Sequence, residues 1–125
     1  DGSLVDPGSA DTLKWDWVSG KIQLTKGSVT YTTDQGNGCQ YKDMTLASGL
    51  SAAPELAKAL LLYPDEPGGD YGGDYHWMNT RGERLPLCGG RWSYGSSAGV
   101  FGVYLSYPRS ISYSTVGFRS AFVDL

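Results

Sequence analysis

Alternation of apolar and polar residues predicts several short β-strands in the first third of the chain. The strand-like runs span residues 13–17, 21–24 and 28–33. In the first run, Leu13, Trp15 and Trp17 alternate with polar neighbours, which is the period of a half-buried strand. The dipeptide Lys26–Gly27 is the predicted turn between the second and third runs, so a β-hairpin is the simplest assignment. The run DQGNG, residues 34–38, is predicted to be a loop.

One segment has the spacing of an amphipathic helix. It is PELAKALLLY, residues 54–63, in which Pro and then Glu suit the first helical turn. Leu56, Leu60 and Tyr63 follow one another on a single face, so this face is predicted to be largely buried. Pro64 is predicted to end the helix.

The glycine-rich run that follows, PDEPGGDYGGDYHW at residues 64–77, is predicted to be a long loop. It carries four carboxylates, on Asp65, Glu66, Asp70 and Asp74. Their spacing does not match an EF-hand, and the run lacks the Glu-Pro-Asn, Gln-Pro-Asp and Trp-Asn-Asp motifs of calcium-dependent lectins. A solvated acidic loop is the simpler interpretation and a calcium site is the alternative, so no cofactor or metal is predicted.

Strand-like alternation returns in the last third of the chain. One face of the predicted strand carries Phe101, Val103 and Leu105, and the other carries Gly102, Tyr104 and Ser106. A closing strand is predicted from Val116, Phe118 and the run 121–123. The sequence shows no repeat and no second hydrophobic pattern that would indicate another domain. We therefore predict an α+β fold of short antiparallel strands with one or two helices, rich in loops.

Composition narrows the class of protein. A chain of 125 residues with 40 % hydrophobic residues fits one domain over residues 1–125, of which 1–12 are predicted to be a linker. The net charge is −3 and the basic residues are scattered, so nucleic acid is not an expected partner. No apolar run approaches the roughly 20 residues that span a bilayer, so membrane insertion is not expected.

The nucleophile and base candidates give little support for catalysis. Cys39 and Cys88 are 49 residues apart, which matches no zinc pattern, and they are either two buried thiols or one disulfide. His76, the only histidine, has no Ser or Cys partner in a recognisable motif. We therefore predict that the protein is not an enzyme.

Residues 91–116 have an unusual composition. They include seven Ser and four Tyr but no Lys, Asp, Glu, Asn or Gln. Antibody paratopes use Tyr for rigid contact area and Ser for adaptable hydrogen bonds, although both residues are also ordinary in strands and turns. The predicted ligand-binding residues are Arg91, Ser93, Tyr94, Ser97, Tyr104, Ser106, Tyr107, Ile111, Tyr113, Ser114 and Thr115.

Four motifs resemble the variable region of proteins diversified by retroelements. They are ERLPLCGGRW, AGVF at 98–101, PRS at 108–110 and GFRSA near the C-terminus. The resemblance covers residues 79–122, about a third of the chain, and residues 1–78 match only loosely. In that family an Asn-rich template is copied with errors at its adenines, and Ser, Tyr, Thr and Ile are all reachable from Asn codons. Arg91 and Gly102 are reachable in the same way.

The resemblance implies a C-type-lectin fold, related to formylglycine-generating enzymes, with a variable ligand-binding segment at residues 88–119. It implies that the N-terminal strand pairs with the C-terminal one and that the 54–63 helix packs beneath the site. Trp92, Phe101 and Phe118 are expected to anchor the core. Arg109 and Arg119 are expected to hold loops from beneath the site.

The expected function is hypervariable receptor recognition. The implied partner is a protein or glycan receptor on a host or neighbouring cell, and the implied location is a phage tail tip or a bacterial surface, with homo-oligomeric display as one arrangement. The related enzymes use cysteines after a Gly-Gly-Ser-Trp element, and this chain has none after Cys88. The alternatives are an assembly domain of a phage tail or pilus and a calcium-dependent sugar-binding lectin.

Overall fold

The computed structural model describes residues 12–27, 36–79 and 84–117, and these residues form a small, loop-rich α+β structure made mostly of strands. The strands are β1 Leu13–Val18, β2 Lys21–Lys26, β3 Gly36–Gln40, β4 Thr45–Leu46, β5 Tyr75–Asn79, β6 Leu87–Cys88 and β7 Val103–Leu105. The described α-helix, α1, is Glu55–Ala59. Two 3-10 segments lie at Tyr41–Asp43 and Trp92–Ser97.

The first sheet has the strand order β1-β2-β4. β1 and β2 form an antiparallel hairpin in which Val18 pairs with Lys21, and β2 pairs with β4 in parallel. The hairpin turn is Ser19–Gly20, whose φ values of 52° and 80° fit the two-residue turns that match strand twist. The two strands were predicted, but this turn was not. The predicted Lys26–Gly27 turn leads into residues 28–33, which lie outside the described residues.

The second sheet has the strand order β3-β5-β7-β6. β5 and β7 are parallel, and each pairs antiparallel with its outer neighbour. Two rows of paired residues therefore cross all four strands. One row is Cys39, His76, Val103 and Cys88, and the adjacent row is Gly38, Trp77, Tyr104 and Leu87. Successive strand residues point to opposite faces, so the two rows lie on opposite faces of this sheet.

The core lies on the face that carries the first of these rows. Cys39, His76 and Val103 are buried, and the Ile22 amide of β2 donates to Cys39 Sγ at 3.4 Å, so the β1–β2 hairpin covers this face. The buried apolar residues form one cluster: Ile22, Leu24, Cys39, Tyr41, Met44, Ala53, Tyr63, Met78, Val103 and Leu105. The opposite face, with Trp77 and Tyr104, is not part of this cluster.

The prediction of a long helix with a buried leucine face is wrong. α1 covers only Glu55–Ala59, and Leu56 and Leu60 are 46 % and 37 % exposed. The helix ends because Leu61 has a φ of 58°, and the Leu62 amide then bonds back to the Ala57 carbonyl at 2.8 Å. This is the Schellman geometry of a helix C-terminus. Of the three residues on the predicted face only Tyr63 is buried, and Ala53, before the helix, is buried as well.

Two predicted loops are shorter than expected. β3 begins at Gly36, within the predicted loop 34–38, and β5 begins at Tyr75, within the predicted loop 64–77. In the first case, the glycine pattern reflects close packing within a strand. A Cβ on Gly38 would lie 2.5 Å from the Tyr75 ring and 2.7 Å from the Trp77 ring, so only glycine allows these rings to lie over β3.

The two cysteines are both free, Cys39 buried and Cys88 exposed. They lie on strands separated by β5 and β7, and adjacent strands are about 4.8 Å apart. The resulting separation is too large for a disulfide. The prediction of either two buried thiols or a bridge is therefore corrected to one buried and one exposed thiol.

The predicted N-terminal linker and the predicted closing strand lie largely outside the described residues. Val116 is in no strand, while Phe118, the run 121–123 and linker residues 1–11 are not described, so the pairing of the terminal strands remains a prediction. The organisation of residues 1–125 as one domain also remains a prediction. No helix in the described ranges is long and apolar enough to span a membrane.

Candidate functional site

A row of aromatic rings runs across the outer face of the second sheet. Tyr75 and Trp77 of β5 have ring centroids 4.7 Å apart, and Trp77 lies 5.9 Å from Tyr104 of β7. Tyr104 in turn stacks on Tyr94, from the 3-10 segment, at 5.4 Å and an interplanar angle of 9°. We call these four residues the aromatic row. All four rings are partly buried, so the row is packed on the sheet and also reaches solvent.

Local packing fixes the β5 end of the aromatic row. Gly38 lies beneath the Tyr75 and Trp77 rings, and the Tyr75 hydroxyl donates to the Gly38 carbonyl at 2.9 Å. The absence of a side chain at Gly38 and the hydrogen bond of the Tyr75 hydroxyl thus keep both rings over β3, outside the core.

Arg91 extends the aromatic row at its other end. Its guanidinium carbon lies 5.2 Å from the centre of the Tyr94 ring, a cation–π geometry. Partial burial raises the pKa of Tyr104, and hydrogen bonding with Tyr94 and the nearby Tyr107 hydroxyl raise it further, while Arg91 opposes the rise. The Tyr104 phenol is therefore a neutral hydrogen-bonding group near pH 7, close to the positive charge of Arg91.

A second pair of predicted contact residues lies beside this group. Tyr107 and Tyr113 make an edge-to-face contact with ring centroids 5.7 Å apart, and Tyr113 is 55 % exposed. The predicted tyrosines therefore form two ring pairs, Tyr94 with Tyr104 and Tyr107 with Tyr113.

The remaining predicted contact residues differ in exposure. Ser93, Ser114 and Thr115 are exposed, whereas Ser97, Ser106 and Ile111 are partly buried. The Ser106 carbonyl accepts a hydrogen bond from Arg84 Nη1 at 2.9 Å. The Ile111 amide donates to the Pro108 carbonyl at 3.3 Å, which closes a turn. The structure thus shows contacts within the predicted set for Arg91 and the four tyrosines, and shows the others only by their exposure and local bonding.

The segment after Ala98 is held by Asp74. One Asp74 carboxylate oxygen accepts the Phe101 amide at 2.8 Å, and a Cβ on Gly99 would collide with this carboxylate. The Asp74 carbonyl also accepts the Tyr41 amide at 2.8 Å. The prediction that Asp74 belongs to a solvated acidic loop is wrong, because Asp74 is buried and its carboxylate accepts the Phe101 amide. Asp65, Glu66 and Asp70 are exposed as predicted.

Among the predicted anchors, only Phe101 packs on the core within the described ranges. Its ring lies 5.6 Å from Tyr41 and 4.8 Å from Tyr71. Trp92 is 95 % exposed and its 3-10 segment has no buried residue, so its predicted core role is wrong. Arg109 is exposed and is not buried beneath the site. Phe118 and Arg119 lie outside the described residues.

His76 and Cys39 face each other across β5 and β3 but lie on the buried face, away from the aromatic row. His76 is fully buried against Trp15, at a ring distance of 5.5 Å, and neither of its ring nitrogens has a hydrogen-bond partner. Burial lowers the pKa of His76 to about 3 and raises the pKa of Cys39. Both groups are therefore neutral near pH 7, which is the state of a packed pair and not of an activated thiolate.

Tyr75 and Trp77 were not among the predicted site residues. The signal was present as the alternation YHWMN, in which Tyr75 and Trp77 face the side opposite to the buried His76 and Met78. It was missed because this run was assigned to the end of a glycine-rich loop.

The candidate site combines aromatic rings, hydroxyl groups and one arginine on a packed backbone. Side chains of these types are common at non-covalent binding interfaces. The described residues contain no group of three or more His, Cys, Asp and Glu side chains placed to hold a metal ion. No protein-family model matches the chain, and no curated protein matches it significantly.

Proposed function

We propose that the protein is a hypervariable ligand-binding domain, which displays diversified side chains of segment 88–119 on a C-type-lectin scaffold. The observation that carries the proposal is the contact series of Arg91, Tyr94 and Tyr104 on the outer face of the second sheet. These residues come from two separate parts of the segment and meet on a face that the core does not use. Tyr, Trp and Arg are also the residues that contribute most to binding energy at interfaces.

The scaffold supports this proposal because different residues hold the segment in place and face solvent. Asp74 and Phe101 fix the segment from the buried side, while Ser93, Tyr113, Ser114 and Thr115 are partly or fully open to solvent. Substitutions at the open positions leave the buried contacts intact. A site of this kind tolerates diversification without loss of the fold.

The partner that fits this proposal is a receptor on a host or neighbouring cell, met by a phage tail tip or a bacterial surface protein. Display as a homo-oligomer strengthens such binding without new contacts, because the second and third binding events become intramolecular.

A second candidate is an assembly domain in which the same region packs permanently against another subunit. Trp92, 95 % exposed, and Val100, 71 % exposed, favour it, because large apolar groups at such exposure are covered in stable assemblies. The calcium-dependent lectin alternative has no comparable observation in its favour, since Asp74 is already engaged by the Phe101 amide.

The source genome separates the two candidates. Diversification requires a nearby, nearly identical copy of the coding region for residues 88–119 that differs at adenines. We expect Asn codons in that copy at Tyr94, Tyr104, Tyr107 and Tyr113. If the genome contains no such copy, the diversification proposal fails and the assembly role is favoured.

A further inference from the structure

The charges of the chain are divided unevenly. The chain has ten basic and thirteen acidic residues, and the proposed variable segment 88–119 holds three of the basic residues, Arg91, Arg109 and Arg119, and none of the acidic ones. The rest of the chain is therefore left with seven basic and thirteen acidic residues. The part that supplies Tyr94 and Tyr104 is positive, and the remainder is strongly negative.

The aromatic row crosses the boundary between the segment and the rest of the chain. Tyr75 and Trp77 belong to β5 and lie outside the segment, whereas Tyr104 and Tyr94 lie inside it. The contacts at 4.7, 5.9 and 5.4 Å are continuous from one end to the other. A ligand that rests on Tyr104 therefore meets Trp77 on one side and Arg91, beyond Tyr94, on the other.

We propose that the aromatic row and Arg91 form one docking surface for an acidic protein partner, in which Tyr75 and Trp77 are a constant half and Tyr94 and Tyr104 a variable half. This inference rests on the proposed binding function and adds to it a fixed subsite and the chemistry of the partner. Charge complementarity selects an acidic partner, because Arg91 places a positive charge beside Tyr94 at the end of the aromatic row and the variable segment carries no acidic residue.

The side chains favour a protein over a sugar. Interface centres are enriched in Tyr, Trp and Arg and depleted of Lys, Asp and Glu, which is the composition of this surface. The hydroxyl groups of a neutral sugar are usually met by carboxylates and amides, and the five side chains of this surface include neither group. The fixed rings beneath add rigid apolar contact that a protein side chain can fill.

The test begins with a displayed library of random 12-residue peptides selected on the intact protein. We expect the selected peptides to be enriched in Asp and Glu. Each selected peptide is then synthesised and titrated into the protein labelled with ¹⁵N, with the four tryptophan indole N–H signals assigned by single Trp→Phe variants. The Trp77 signal should shift on binding, whereas those of Trp15 and Trp17, in the first sheet, should stay in place.

Two matched charge reversals test the electrostatic part. Arg91→Glu should weaken binding of the acidic peptides by about tenfold or more, because it reverses the charge beside Tyr94. Lys21→Glu makes the same change of charge at an exposed position in the first sheet, and should leave affinity within about twofold. Tyr104→Ala, with its thermal melting measured beside it, tests the variable half of the surface.

The outcomes distinguish this inference from the function on which it rests. Peptides that need Tyr104 but are not acidic, or do not shift Trp77, overturn the inference and leave the binding function in place. Binding of an immobilised uronic-acid or sialylated glycan in place of any peptide also overturns it. If no peptide or glycan binding depends on Tyr94 or Tyr104, both proposals fail.

Discussion

The most unusual single residue is His76, which is fully buried without a hydrogen-bond partner on either ring nitrogen. Its neighbours Cys39, Val103 and Trp15 offer no charge to stabilise an imidazolium. Burial therefore holds its pKa at about 3, below the usual 6.5. The folded protein keeps this ring neutral, while the unfolded chain binds a proton below about pH 6.5.

This difference makes stability depend on pH. The unfolded state binds more protons between about pH 6.5 and pH 3, so the free energy of unfolding should fall as the pH falls through this window. One proton corresponds to a slope of up to about 1.4 kcal/mol per pH unit. Urea denaturation at several pH values from 7 to 5 measures it, with His76→Phe as the control that removes the titrating group. Equal slopes for the two proteins would contradict the prediction.

Asp74 acts on the segment through one buried hydrogen bond, to the Phe101 amide. Asp74→Ala should lower the free energy of unfolding by about 1.5–3 kcal/mol, because it removes a charged acceptor and leaves a partly buried N–H unpaired. Gly99→Ala should also destabilise, because its Cβ would collide with the Asp74 carboxylate.

The two changes should not be additive. In the Asp74→Ala background the carboxylate is gone, so Gly99→Ala should cost less than it does in the wild-type protein. Chemical denaturation of the four proteins of this double-mutant cycle gives the interaction energy directly. Strict additivity would mean that the carboxylate does not hold the loop around Gly99.

At the scale of elements, the C-terminus of α1 carries a conformational cost. Leu61 has a φ of 58°, and a left-handed conformation costs a residue with a Cβ roughly 1–2 kcal/mol. Leu61→Gly should therefore stabilise the protein by up to about 1 kcal/mol, after the greater flexibility of glycine in the unfolded chain is deducted. Leu60→Gly, one residue earlier at a φ of −86°, is the matched control and should destabilise. Thermal melting compares them, and a fall in stability for both variants would contradict the prediction.

This helix also shows where sequence patterns lose their power. The predicted strands at 13–17, 21–24 and 101–106 correspond to β1, β2 and β7, because period-two alternation follows directly from burial on one face. The apolar run 54–63 fits a helix of any length. Its end depends on the backbone of Leu61, which leucine does not signal, and so Tyr63 is the only residue of the predicted face that is buried.

The candidate site was predictable only in part, for a similar reason. Composition marked the four tyrosines of residues 91–116, and they form two ring pairs. Trp92 was assigned to the core on the strength of the resemblance, but a short 3-10 segment does not fix which way a side chain points. Trp77 was missed because its role depends on the absence of a side chain at Gly38, on another strand.

At the scale of the whole molecule, the two faces of the second sheet differ in their packing. Its inner face packs on the β1–β2 hairpin, and its outer face carries the aromatic row. A single short strand, β7, serves both faces, because Val103 and Leu105 point inward and Tyr104 points outward. Replacing neighbouring residues of this part of the chain should therefore lower the free energy of unfolding by very different amounts.

Leu105→Ala and Tyr113→Ala make this comparison within one segment. Leu105 is buried, so its truncation leaves a cavity and should lower the free energy of unfolding by about 2–5 kcal/mol. Tyr113 is 55 % exposed, and its truncation should change stability by no more than about 0.5 kcal/mol. Tyr104→Ala should fall between them, since its ring is partly buried between Trp77 and Tyr94. Urea denaturation ranks the three variants. A Tyr113→Ala loss as large as that of Leu105→Ala would mean that the outer tyrosines stabilise the fold and are not free to vary.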